Sequence, residues 1–129
     1  MANLTRFEDL VAWQKSRMLA VAIYKATRRG PFERDFGLSG QMQRAAVSIP
    51  SNIAEGFERG TRPEFHRFLS TAKGSCGELR TQLYIAGDIG YLPEEDFSPL
   101  LLQATEVSRI IGGLRAAVRR NRDAGSRKR

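Results

Sequence analysis

The chain has 129 residues, 41% of them apolar, and a formal charge of +7, which suits one domain around a single core. That charge is uneven: residues 1–114 carry 14 basic and 13 acidic side chains, whereas residues 115–129 carry seven basic against Asp123 alone. A single cysteine, Cys76, excludes an intrachain disulfide, no run reaches the ~18 apolar residues of a membrane helix, and residues 1–9 lack the basic-then-apolar pattern of a signal peptide, so the expected location is cytoplasmic, without a membrane partner.

The first helix is predicted over about 7–29, with Arg28 and Arg29 suiting the negative end of its dipole and Gly30-Pro31 stopping it. Leu10, Trp13, Arg17, Val21 and Tyr24 repeat on one face, widened by Phe7, Val11 and Met18. Leu19 and Ile23 fall on nearly the opposite face. Apolar residues on two sides of one helix require two partners, so Leu19 and Ile23 are the expected contact with another subunit.

Residues 31–38 read as an irregular connection, and Ser39 is the expected cap of a second helix over about 39–59. Its apolar stripe, Met42, Ala45, Ala46, Ile49, Ile53 and Phe57, runs through Pro50 at steps of three and four. Proline removes one backbone donor and clashes with the carbonyl of Ala46, at a cost of roughly 3 kcal/mol, so the helix is expected to kink there. Around the kink, Asn52, Glu55 and Arg59 suggest a local polar network, with Glu55 four residues ahead of Arg59 in the favourable order.

Thr61-Arg62-Pro63-Glu64 matches a capping box with proline tolerated in the first turn, and so opens a third helix over about 62–88. Phe65, Phe68, Leu69, Ala72, Cys76, Leu79, Leu83 and Ala86 form its core stripe. Gly74 and Gly77 each cost about 1 kcal/mol against alanine, which points to close approach of another backbone. A fourth helix, about 93–120, carries the heptad seam Leu100, Ala104, Val107, Ile111, Leu114 and Val118. Residues 121–129 read as a basic, disordered tail. The long helices and short turns predict an all-α, antiparallel up-down-up-down four-helix bundle over residues 1–120.

Catalysis is hard to build from these residues. His66 and Cys76, each the only one of its type, lie ten positions apart on one helix, about 15 Å along its axis, too far for a nucleophile–base pair. Zinc needs three or four clustered ligands, and the Glu-x-x-His pattern of di-iron bundles is missing because Pro63 stands three before His66. The chain is therefore expected to be non-enzymatic, with no metal or other cofactor.

One register of the third helix, His66, Ser70, Lys73, Gly77, Arg80 and Tyr84, suits contact with phosphates and bases, a polar solvated face or a subunit interface. Arg59, Arg62 and Arg67 enlarge the basic area. The C-terminal Arg115, Arg119, Arg120 and Arg122 suit a polyanion or serve solubility alone.

Arg44-Ala45-Ala46-Val47-Ser48-Ile49-Pro50-Ser51-Asn52-Ile53-Ala54-Glu55-Gly56 resembles the hallmark of the four-helix-bundle proteins encoded in ribosomal-RNA intervening sequences. Glu64-Phe65, Phe68-Leu69, Gly74-Ser75, Glu78-Leu79 and Gly90-Tyr91-Leu92 extend the resemblance over about residues 7–118. The same family includes the Avd proteins of diversity-generating retroelements. The resemblance implies a bundle that assembles into a ring, typically a homopentamer. For the retroelement branch it also implies a basic surface that binds RNA and a partner reverse transcriptase.

The expected function is thus a ring-forming helical protein that binds RNA or other nucleic acid through Arg59, Arg62, Lys73, Arg80 and the arginines from Arg115. The alternative is a protein-interaction scaffold with no direct nucleic-acid binding.

Overall fold

The structure, a computed structural model, describes residues 5–127, with side chains described as far as Arg120. Among the described residues it is all-helical: a 3-10 turn at Phe7–Asp9, then α1 (Val11–Thr27), α2 (Gly30–Arg34), α3 (Phe36–Glu58), α4 (Arg62–Asp88) and α5 (Glu94–Arg127). The four long helices enclose one apolar core that includes Leu19, Ile23, Met42, Ile49, Ile53, Leu69, Leu79, Leu83, Val107 and Ile111.

The predicted core face of α1 holds only at its start, where Leu10 is buried and Phe7 and Trp13 pack against the core; from Arg17 onward the opposite face is buried. Leu19 and Ile23 are 0% exposed, so the expected subunit contact at these two residues is corrected: they are the protomer's own core. Val11, Met18 and Val21 face outward instead. The predicted core face has Arg17 on it, and burying an unpaired guanidinium costs several kcal/mol. The face that wins contains Ala12, Ser16, Leu19, Ala20, Ile23, Ala26 and Thr27. It carries no charge, and its two hydroxyls are satisfied locally, Ser16 donating to the Trp13 carbonyl and Thr27 to that of Ile23.

Element ends also shift. Leu10 is extended, with φ −76° and ψ 127°, and separates the 3-10 turn from α1. Gly30 adopts φ +54° as expected of a helix stop, yet Pro31 opens the short helix α2, where a missing N–H is harmless. The cap of α3 is Asp35, whose Oδ1 accepts from the Leu38 amide at 3.2 Å. Ser39, the expected cap, is buried inside the helix. Asp35 Oδ2 accepts from the Tyr91 hydroxyl at 3.0 Å, and Tyr91 stacks on buried Phe32 at 4.9 Å, fastening α2 to the α4–α5 turn. Thr61 caps α4 as expected, accepting from the Glu64 amide at 3.4 Å. Past Pro93, α5 starts at Glu94, holds Pro99 within it, and continues beyond the expected end near Arg120 to Arg127.

Cross-helix pairs fix the neighbours. Lys15 meets Glu106 at 3.6 Å, and Arg29, just past α1, meets Asp96 at 3.8 Å. Gln43 donates to Thr27 at 2.9 Å, and the Ser48 and Ser75 hydroxyls lie 2.9 Å apart. Tyr84 packs on Phe97 with ring centres 5.5 Å apart. The intimate backbone approach lies at Gly56, where an added Cβ would stand 2.6 Å from the Cβ of Phe68. Gly74 and Gly77, the positions expected to admit a neighbour, have nothing within 4 Å of an added Cβ.

Candidate nucleic-acid interface

α3 runs through Pro50, whose missing N–H leaves the Ala46 carbonyl without its usual donor. The polar residues around it separate into two sets. Asn52 Nδ2 donates to the Ser48 carbonyl at 2.8 Å and to its hydroxyl at 2.9 Å, and Ser48 in turn meets Ser75 of α4. This chain ties α3 to α4. Glu55 and Arg59 instead form an exposed pair at 2.9 Å, the kind worth ~0.3–0.5 kcal/mol.

Arg59 is heavily committed. Besides Glu55 it meets Glu64 at 3.6 Å, and its guanidinium lies 5.0 Å from the centre of the Phe68 ring, which Arg67 also covers at 4.5 Å. The hydrogen bond from Arg67 lowers the Glu64 carboxyl below its ordinary value, and that with Glu55 raises Arg59. A phosphate at Arg59 therefore competes with two carboxylates already present. Arg62 is exposed and forms no ion pair with the described residues.

Of the remaining predicted cations, Lys73, Arg80, Arg115 and Arg119 lie along one seam, between α4 and α5. Lys73 Nζ donates to the Ser108 hydroxyl at 3.0 Å and to its carbonyl at 3.3 Å, and passes over Gly112, where an added Cβ would stand 3.5 Å away. Arg115 Nη1 donates to Ser70 at 3.3 Å. The Nε of Arg80 is buried with no partner. Arg119 lies one turn beyond Arg115, exposed, as does Arg120. The side chain of Arg122 falls outside the described residues.

Positions alternating by four and three bring His66, Ser70, Lys73, Gly77, Arg80 and Tyr84 of α4 beside Thr105, Ser108, Gly112, Arg115 and Arg119 of α5. No carboxylate occupies either register. Four cations thus lie on facing registers whose other members are hydroxyls, glycines, an imidazole and an aromatic ring. Of the α5 half, Arg115 and Arg119 were expected contacts, whereas Thr105, Ser108 and Gly112 were missed, although a signal was there: the heptad seam Leu100 to Val118 fixes the core face, and the register one position later is its flank.

Between the two helices Cys76 is fully buried, and burial pushes its thiol up to about 11, partly opposed by Lys73 and Arg80. A thiol held protonated is a poor nucleophile. Among the described residues no cluster of three or more His, Cys, Asp or Glu side chains is placed to hold a metal ion, and no helix is long and apolar enough to cross a membrane.

Fold and seam together define a small helical-bundle protein with cations along the seam between two of its long helices. The model of the 23S rRNA-intervening sequence protein family matches residues 8–113. The chain belongs to that family. Among solved structures it is similar to a protein of unknown function from the S23 ribosomal protein family of Bacteroides thetaiotaomicron VPI-5482, with a TM-score of 0.75 and 25% identity over 82% of this chain and 96% of that one. No curated protein matches the chain.

Proposed function

We propose that this chain is a non-enzymatic, ring-forming helical protein that binds RNA or other nucleic acid along the α4–α5 seam. One observation carries the reading: Lys73 and Arg80 from α4 and Arg115 and Arg119 from α5 lie on facing registers that hold no carboxylate. Phosphate contacts from Lys and Arg supply most sequence-independent affinity, and Tyr84 offers a ring at one end for a base to stack on. The reading takes α1, α3, α4 and α5 as an antiparallel up-down-up-down bundle, supported by the order of the cross-helix pairs, with α3 bent at Pro50. Assembly into a ring, typically of five copies, is what the family resemblance implies.

Four neutralised phosphates on a single strand give a salt slope of about −3, so raising salt from ~50 to ~200 mM weakens binding about 50-fold. Arg115→Glu with Arg119→Glu should cut affinity at least tenfold in a filter-binding titration. Arg34→Glu, which changes net charge on α2 away from the seam, should have little effect. Absence of RNA binding at ~50 mM salt, or equal loss in both variants, defeats the reading.

A second reading, a protein-interaction scaffold, draws on the bonds of Lys73 to Ser108 and Arg115 to Ser70, which give these cations a structural use. Pull-down with and without nuclease separates the two, because only a protein partner survives the treatment.

A further inference from the structure

The groove between α1 and α3 encloses about 400 Å³, with Ala20, Val21, Val47 and Pro50 as an apolar floor. Val21 and Val47 are 49% and 42% exposed. Its rim is cationic: Arg17 lies over the Trp13 ring at 5.4 Å, Arg28 over the Tyr24 ring at 5.2 Å, and Lys25 stands between them. None of the three makes an ion pair with the described residues. An apolar trough with unpaired positive charge calls for an apolar ridge with negative charge.

The chain carries such a ridge on a different face. Along the outer side of α4, Ile85 and Ile89 are 46% and 53% exposed. Glu78, two turns before Ile85, and Asp88, next to Ile89, are both exposed and make no ion pair with the described residues. At about 1.5 Å per residue, Glu78 and Asp88 stand about 15 Å apart along α4, and Arg17 and Arg28 about 16 Å apart along α1. Laid antiparallel to α1, with Asp88 at Arg17 and Glu78 at Arg28, the ridge brings both carboxylates to both outer cations and sets Ile85 within about 2 Å of the level of Val21, with Ile89 just beyond Arg17.

From this match of shape, charge and length we infer that the α4 ridge of one copy seats in the α1–α3 groove of the next. The inference rests on the ring reading above and names the surfaces that build it. Groove and ridge are different patches of the same chain, so the contact is head-to-tail. Such a contact repeats until it closes on itself, which makes rings, whereas a self-complementary patch stops at a dimer.

Two substitutions at exposed positions test it without disturbing the core. Val21→Glu puts a carboxylate on the groove floor, and Ile85→Glu puts one on the ridge. Each variant alone should sediment as a monomer with unchanged helical circular dichroism. Mixed in equal amounts they should form a heterodimer and nothing larger, because one supplies the intact ridge and the other the intact groove. If the unmodified chain assembles but either variant assembles equally well, or the mixture stays monomeric, these surfaces are the wrong ones and the ring reading stands without them. A monomeric unmodified chain at ~100 µM overturns both.

Discussion

Gly56→Ala puts a single methyl group into a close contact between α3 and α4, and the structure gives its sign. The substitution gains about 1 kcal/mol of helix propensity, as it does at any interior helical glycine. Against that, the new carbon would lie 2.6 Å from the Cβ of Phe68, with Phe65 Cδ1 at 3.2 Å. Carbon atoms pack at about 3.5–4.0 Å, so α3 and α4 must part by roughly 1 Å. Phe68 Cβ is bonded directly to its backbone and cannot rotate aside. The cost therefore belongs near the upper end of the ~1–3 kcal/mol range for overpacking, leaving a net loss of about 2 kcal/mol.

Gly113→Ala supplies the control, because an added Cβ there meets nothing within 4 Å and the residue is exposed in α5. For a chain of 129 residues, each kcal/mol moves Tm by about 4 °C. Thermal unfolding at one fixed protein concentration should place Gly56→Ala about 8 °C below the parent and Gly113→Ala up to about 4 °C above it. A Gly56→Ala protein that melts at or above the parent temperature would refute the claim that α3 and α4 touch through this glycine.

Cys76 should resist iodoacetamide in the folded protein at pH 8 and react once urea unfolds it. Its thiol, raised from 9.0 to about 11 by burial, contributes stability that is complete below about pH 9 and lost as pH climbs toward 11. The urea midpoint should fall across that window, and by less in Cys76→Ala. Tyr91→Phe keeps the stack on Phe32 but loses the bond to Asp35, and should lower stability in urea by about 1 kcal/mol. Asp35→Ala removes that bond and the α3 cap together, and should cost about 1 kcal/mol more than Tyr91→Phe; equal losses would deny Asp35 its capping role.

The core stripes of α3, α4 and α5 were legible because their apolar residues recur at steps of three and four over several turns, with no competing face. In α1 two faces competed. Counting large apolar residues chose the one with Trp13, Val21 and Tyr24, while the charge of Arg17 and the alanines at 12, 20 and 26 chose the other. Small residues mark a helix face that lies close against its neighbours, and apolarity alone does not reveal that. The cap of α3 was misread for a different reason: Ser39 and Asp35 both suit that role, and only the placement of Tyr91 gives Asp35 a second tie. For the seam, the cations of α4 and α5 were each visible separately. Their meeting depends on how the two helices align, which Lys73–Ser108 and Arg115–Ser70 set and local patterns do not encode.

The absence of carboxylates along that seam has a further consequence. With no acid in their registers to offset them, Lys73, Arg80, Arg115 and Arg119 line the seam with charge of one sign, and like charges work against the packing of α4 on α5. Salt screens such repulsion, and a bound polyanion removes it. On the proposed function, folding and binding are linked through the same charges: a polyanion held along the seam would also stabilise the helices that form it.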